Sequence, residues 1–164
     1  MNSELWNTQN DLPQAIRLAS IAVLNQHLAD ALDLYLQAKQ AHWNVKGPNF
    51  IALHELFDDV VEEIAEHADD LAERAVELGG VAMGTVHVAA EKTRLSAYPL
   101  AIFSGRDHVV ALSAALAQFG KSARQAIDIV ATQGDADTAD LFTEVSRGVD
   151  KLLWKVEAHI QSND

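Results

Sequence analysis

Four side chains of types that bind metal ions lie along one predicted helix. They are His54, Asp58, Asp69 and Glu73. At about 100° per residue they fall at about 0°, 40°, 60° and 100° around the helix axis, so they share one narrow face. Carboxylate oxygens and imidazole nitrogens together suit iron, manganese or zinc better than a soft ion such as Cu(I). The pattern predicts a metal site, with a solvated face of an acidic protein as the alternative.

Distance along the helix divides these four residues into two pairs. Asp58 and Asp69 are eleven residues apart, which is about 16 Å at about 1.5 Å per residue, so one ion cannot bridge them. If two copies of the helix cross antiparallel about a two-fold axis near Glu63, the first pair of one copy lies beside the second pair of the other. We therefore expect two equivalent sites, each shared between two copies of the chain.

His42 extends the first pair. It precedes Pro48 by six residues, and His54 follows Pro48 by six. A helical hairpin around Pro48 therefore brings the two histidines to a similar level. We predict that His42 joins His54 and Asp58 in one half-site, and that the other pair forms the second.

A di-iron site within one bundle is the competing arrangement, and it has a different motif. Such sites use a glutamate three residues before a histidine on each of two helices. His67 has Ile64 at that position. The sequence therefore disfavours an intra-bundle di-iron oxidase.

Four long helices are predicted to position these residues, and local signals mark their ends. They cover residues 12–42, 50–78 and 108–131, and a last helix that starts at Asp135 or Asp137. Asn49 is a predicted N-cap of the second helix, and Ser104 with Asp107 resembles a capping box before the third. The predicted stop residues are Gly79, Gly80 and Gly134.

A long connection joins the two helical hairpins. Between residues 81 and 103 the helical periodicity weakens and Pro99 intervenes, so we predict a crossover with a short helix around residues 95–102. Two hairpins joined by one long crossover are typical of ferritin-like bundles. We predict an all-α, ferritin-like four-helix bundle over residues 12–161, with short tails at residues 1–11 and 162–164.

Composition narrows the class of protein. The 164 residues are 49% apolar and contain no cysteine, which excludes a disulfide framework and a thiolate metal site. The 24 acidic and 12 basic residues give a net charge of -12, which favours cations over phosphate backbones. No apolar run approaches the roughly 20 residues that span a bilayer, and no signal peptide is evident. We expect a soluble, cytoplasmic protein.

Two stretches that contain the predicted ligands resemble the Dps family of mini-ferritins. They are AHWNVKGPNFIALHELFDD, from Ala41 to Asp59, and DDLAERAVELGG, from Asp69 to Gly80. The segments DTADLF and DKLLW support the likeness, which covers nearly the whole chain. The resemblance implies a hollow homododecamer with ferroxidase sites at its two-fold interfaces and a mineral core. Carried over by position, it implies His42, His54 and Asp58 as ligands from one subunit and Asp69 and Glu73 from its partner.

The same resemblance implies the reaction and several accessory roles. Fe²⁺ is oxidised to Fe³⁺, commonly by hydrogen peroxide and otherwise by oxygen, which protects against oxidative damage; zinc or manganese can replace iron at the site. Trp43 is a candidate radical trap, with ordinary packing as the alternative. Glu55 and Asp59 are candidate nucleation residues, with a solvated face as the alternative. Asp140 is a candidate pore residue, and helix capping is the alternative for the aspartates before it.

DNA binding is predicted to be weak or absent, despite the meaning of the family name, DNA-binding protein from starved cells. Affinity for duplex DNA arises from neutralised phosphates. No lysine or arginine precedes Arg17, and the segment after Lys155, VEAHIQSND, is acidic on balance. A structural nucleoid protein with incidental metal binding is the alternative function, and the ligand set favours the ferroxidase.

Overall fold

The structure is a computed structural model that describes residues 5–161. Within that range the chain forms five helices and no strand, which confirms the predicted all-α class. The helices are α1 (Gln14–Asn44), α2 (Phe50–Glu77), α3 (Val86–Lys92), α4 (Gly105–Gln133) and α5 (Ala136–Glu157). None of these helices is long and apolar enough to cross a membrane. The predicted C-terminal tail, residues 162–164, and the first four residues of the predicted N-terminal tail, residues 1–11, lie outside the described residues.

The four long helices form a bundle from two antiparallel hairpins. α1 packs on α2 and α4 packs on α5, and the hairpins join through the α1–α4 and α2–α5 contacts. Phe57, Phe119 and Phe142 are completely buried between the helices, and burying a side chain of this size stabilises the fold by about 1.5–3 kcal/mol. These aromatic anchors fix the rotation of α2, and with it the direction of its exposed face.

The predicted capping signals of α4 and α5 are confirmed. Ser104 Oγ accepts a hydrogen bond from the backbone N–H of Asp107 at the start of α4. Gly134 ends α4 at φ +97°, a left-handed conformation that favours glycine. Asp135 caps α5. Asn49 occupies the predicted N-cap position of α2, although its side chain makes no capping hydrogen bond. The backbone N–H of Phe50 donates to the carbonyl of Gly47.

The short helix of the crossover lies earlier than predicted. It is α3, and residues 95–102 are not helical. Pro99 lacks an N–H and disfavours helical geometry in the residue before it. In addition, the N–H of Arg94 donates to Asp30 on α1 (2.8 Å), and the Arg94 carbonyl accepts from Gln118 on α4 (2.6 Å). The backbone N–H and carbonyl of Arg94, just before the predicted helix, are therefore hydrogen-bonded to α1 and α4.

A buried ion pair joins the end of α2 to the start of α5. Arg74 donates from Nη2 to Asp135 Oδ1 (3.1 Å) and from Nε to Thr138 Oγ1 (3.0 Å). Burial raises the pKa of Asp135, but the hydrogen bonds from Thr138 and the charge of Arg74 outweigh it and hold the pKa below its usual range. The turn of α2 that carries Glu73 is therefore fixed to the first turn of α5.

Candidate metal centre

Reciprocal hydrogen bonds hold the two predicted histidine ligands side by side. His42, near the end of α1, donates from Nδ1 to the carbonyl of His54 (2.7 Å), and His54 donates from Nδ1 to the carbonyl of His42 (2.9 Å). The two rings stack with centroids 3.7 Å apart and planes 22° from parallel. The hairpin therefore positions both rings before any ion binds.

This hydrogen bonding selects the tautomer that can ligate a metal. Each carbonyl oxygen is only an acceptor, so each Nδ1 carries the hydrogen. In a neutral imidazole the lone pair is then on Nε2, which is available to a cation. A hydrogen bond from the second ring nitrogen of a ligating histidine to a carbonyl is the usual way to orient such a ligand. His42 and His54 are both arranged in this way.

Asp58, the third predicted ligand of this group, lies close to the two histidines. It lies one turn after His54 on α2, and its Oδ1 is 4.0 Å from Nδ1 of His42. The same oxygen accepts a hydrogen bond from Lys39 Nζ at 2.5 Å. That hydrogen bond, with smaller contributions from the nearby histidines, holds the pKa of Asp58 below its usual range. The carboxylate is therefore anionic at neutral pH.

Lys39 is a functional neighbour that the sequence reasoning missed. It lies three residues before His42 on α1, and this spacing, which places two side chains on one helix face, is the signal that could have identified it. Its ammonium group donates to Oδ1 of Asp58. A cation that binds this oxygen would therefore compete with Lys39.

The other two predicted ligands lie elsewhere on the same helix. Asp69 and Glu73 are exposed on α2, and α2 is uninterrupted between Asp58 and Asp69, a distance of about 16 Å along its axis. Across residues 5–161, no group of three or more histidine, aspartate or glutamate side chains is arranged to hold a metal ion. The five predicted ligands therefore fall into two separate groups on one subunit, the histidine group with Asp58 and the pair Asp69 and Glu73.

The accessory residues are placed on the surface of the subunit. Trp43 is 65% exposed beside His42. Glu55 and Asp59 are exposed on α2, and Asp59 lies 4.0 Å from the ammonium group of Lys155. Asp140 is exposed on α5. The two aspartates before it differ in exposure. Asp135 is buried as a helix cap, whereas the side chain of Asp137 is 88% exposed.

This chain is similar to known sequences over nearly its full length. A family model described as a ferritin-like domain matches residues 21–163. The chain is 46% identical over 154 residues to the DNA protection during starvation protein of Agrobacterium fabrum, which covers 94% of this chain and 95% of that protein.

Solved structures agree with the fold. DpsC from Streptomyces coelicolor superposes with a TM-score of 0.93 at 30% identity, covering 99% of this chain and 95% of that one. Dps from Microbacterium arborescens in the high iron form gives a TM-score of 0.85 at 33% identity, covering 97% and 100%. The five helices and their crossover thus follow an arrangement known from solved structures.

Proposed function

The chain belongs to the Dps family of ferritin-like proteins, and we propose that it is a ferroxidase that stores iron in an oligomeric cage and protects against oxidative damage. Ferrous iron is its substrate. The observation that carries the proposal is the pair of reciprocal hydrogen bonds that orients His42 and His54 beside the anionic Asp58. Imidazole and carboxylate ligands suit iron, and the Dps of Microbacterium arborescens was solved in a high iron form.

The proposed reaction takes two electrons from two ferrous ions. With hydrogen peroxide as the preferred oxidant, two Fe²⁺, one H₂O₂ and two protons give two Fe³⁺ and two water molecules, and no hydroxyl radical is released. Oxygen is the alternative oxidant. The carboxylates favour the more highly charged ferric product because negative charge near a cation stabilises it. Zinc and manganese are proposed to bind the same ligands without being the substrate.

Each site is proposed to use two subunits. Asp69 and Glu73 are exposed and about 16 Å along α2 from Asp58, so they are free to face another molecule. Antiparallel crossing of two α2 helices about a two-fold axis near Glu63 places this pair beside the partner's histidine half-site. Every such interface then holds two equivalent sites, and the complete cage is proposed to be a homododecamer in the cytoplasm.

The surface residues fit accessory roles in iron handling. Asp140 and the exposed Asp137 are proposed to line an entry pore, where a negative potential concentrates cations. Glu55 and Asp59 are proposed to nucleate the ferric mineral. Trp43, exposed next to His42, is proposed to intercept stray oxidising equivalents.

A DNA-binding role is the second candidate, because the Agrobacterium fabrum relative is named for DNA protection. The net charge of -12 opposes it, since duplex affinity depends on cationic side chains that neutralise phosphates. We propose that binding to DNA is weak or absent at physiological salt. Tight retention of duplex in a gel-shift assay at that ionic strength would reverse this assignment.

Stopped-flow oxidation of Fe²⁺ tests the ferroxidase directly. The double variant His54→Ala, Asp58→Ala should lose rapid oxidation with both peroxide and oxygen, while light scattering shows an unchanged assembly. Asp128→Ala is the matched control, since Asp128 is an exposed carboxylate on α4 that forms no ion pair within the described residues. Oxidation at the wild-type rate in the double variant would remove the proposed site.

A further inference from the structure

A hydrogen-bonded tyrosine and histidine pair connects the crossover to α4. Tyr98 Oη and His108 Nδ1 are 2.8 Å apart, and the two ring planes are 18° from parallel, with centroids separated by 6.1 Å. His108 is only 1% exposed. The phenol of the partly buried Tyr98 therefore has a fixed and buried proton acceptor.

His108 is suited to accept that proton. Burial lowers the pKa of His108, although the charge of Asp107 and the carbonyl of Asn44 partly oppose this, so the ring is neutral at pH 7. A neutral ring whose Nδ1 accepts from Tyr98 carries its hydrogen on Nε2. Nε2 is buried and makes no hydrogen bond with any described residue. The ring thus has one nitrogen engaged by the phenol, while the other makes no hydrogen bond of normal geometry although the Asn44 carbonyl lies near the ring.

Tyr98 is suited to lose an electron and a proton together. Burial raises the pKa of Tyr98 far above its usual range, so the phenol does not lose its proton alone. It lines a cavity of about 380 Å³ whose other walls are mostly apolar and include Pro99, Ile102 and Val110. The oxidised ring would therefore be bordered mainly by apolar side chains.

The pair adjoins the end of the helix that carries the first ligand. The His108 ring lies close to the backbone carbonyl of Asn44, the last residue of α1. Asn44 follows His42 by two residues, an axial rise of about 3 Å. One side-chain contact and two residues of main chain therefore connect the pair to the histidine half-site.

We propose that Tyr98 is a one-electron donor to oxidising equivalents formed at the iron site, and that His108 holds the phenolic proton while the tyrosyl radical exists. This inference rests on the proposed ferroxidase function. It applies when a site holds a single ferrous ion, because one ion supplies only one of the two electrons that peroxide requires.

The electrons and protons balance in that case. One Fe²⁺ and the Tyr98 phenol each give one electron to H₂O₂, whose O–O bond breaks, and two protons from solvent complete two water molecules. The products on the protein side are Fe³⁺, the neutral Tyr98 radical and a His108 imidazolium that received the phenolic proton on Nδ1. The hydroxyl radical that a lone ferrous ion would release is thereby reduced.

Freeze-quench electron paramagnetic resonance tests this proposal. The assembled protein is loaded anaerobically with fewer Fe²⁺ ions than sites, mixed with hydrogen peroxide and frozen. We expect a radical signal that narrows when the protein carries ring-deuterated tyrosine, which separates it from a tryptophan radical. After transfer to D₂O, an exchangeable deuteron from His108 should couple to the radical.

The chain offers a matched pair of variants, because Tyr35 is its only other tyrosine. Tyr98→Phe, which keeps the ring, should lose the tyrosyl signal and release more hydroxyl radical to a spin trap. Tyr35→Phe should retain the signal, since the Tyr35 hydroxyl makes no hydrogen bond with the described part of the chain. A tyrosyl signal that persists in Tyr98→Phe overturns the proposal. Normal iron oxidation without any tyrosyl signal overturns it as well and leaves the ferroxidase intact, whereas the absence of iron oxidation refutes both.

Discussion

Mixed oligomers of two inactive variants should regain activity, because each variant lacks a different half-site. The first variant carries His54→Ala and Asp58→Ala, and the second carries Asp69→Ala and Glu73→Ala. All four replaced side chains are exposed or partly exposed on α2, and none belongs to the buried core. We therefore expect both variants to fold and assemble. Each one alone should be inactive.

The expected recovery follows from the separation of the half-sites along α2. In a pair that contains both variants, one site combines two damaged halves, and the other combines two intact halves. A pair of identical variants has no intact site. Random mixing at equal amounts gives one copy of each variant in about half of the pairs. Each of these mixed pairs has one intact site out of two, so about one quarter of the wild-type number of sites should be restored.

Stopped-flow oxidation of Fe²⁺ on co-refolded protein measures this recovery. Native mass spectrometry of the same sample verifies that the two variants share oligomers. Refolding each variant separately and then combining the two without exchange provides the control, which should stay inactive. If thoroughly mixed oligomers are as inactive as the separate variants, the five ligands do not act across a subunit interface and the geometric reasoning is refuted.

Three further changes test individual contacts. Lys39→Met should tighten Zn²⁺ binding by up to about five-fold in calorimetric titration, because a partly exposed ion pair that competes for Asp58 contributes about 0.2–1 kcal/mol. Asp135→Ala should lower the free energy of unfolding in urea by about 2–4 kcal/mol, through loss of a helix cap and of a buried ion-pair partner. Since the pKa of Asp135 is depressed, its stabilisation is present above about pH 4 and is lost as the pH falls through the lowered pKa. Gly148→Ala should destabilise the fold by about 0.5–2 kcal/mol, because the new Cβ would lie 2.4 Å from Nε2 of the buried His67, and overpacking outweighs the better helix propensity of alanine.

Each of these changes has a control. Lys121→Met removes an exposed lysine that has no ion-pair partner among the described residues, and it should leave Zn²⁺ affinity unchanged. Asp128→Ala removes an exposed carboxylate on α4 that forms no ion pair within the described residues, and it should alter stability by less than about 0.5 kcal/mol. Gly148→Ala should become stabilising in a His67→Ala background, where the methyl group has room. Equal effects of a variant and its control would contradict the contact concerned.

Local signals predicted the helix ends, and long-range contacts explain where the sequence reasoning failed. Ser104 and Gly134 act through atoms within a few residues, so sequence spacing is sufficient to identify them. The conformation of residues 95–102 depends on Asp30 and Gln118, which bond Arg94 from 64 residues before it and 24 residues after it. No local pattern contains that information.

In the candidate site, too, local spacing predicted some features and long-range contacts determine the others. Helical periodicity was sufficient to place His54 and Asp58 on one face. The predicted hairpin around Pro48 was sufficient to bring His42 to their level. The reciprocal bonds to the histidine carbonyls depend on the close approach of two backbones, which residue spacing does not reveal. The pairing of Lys39 with Asp58 likewise became visible only when both helices were in place.

The location of the histidine half-site within one helical hairpin has a consequence for the order of folding. Contacts between α1 and α2 close a short loop and form early, whereas the bonds from Arg94 to the bundle link distant parts of the chain and form late. His42, His54 and Asp58 can therefore meet while the second hairpin is still undocked. Because Asp69 and Glu73 also lie on α2, the first hairpin alone holds all five proposed iron ligands, together with the α2 face that is proposed to meet a partner subunit.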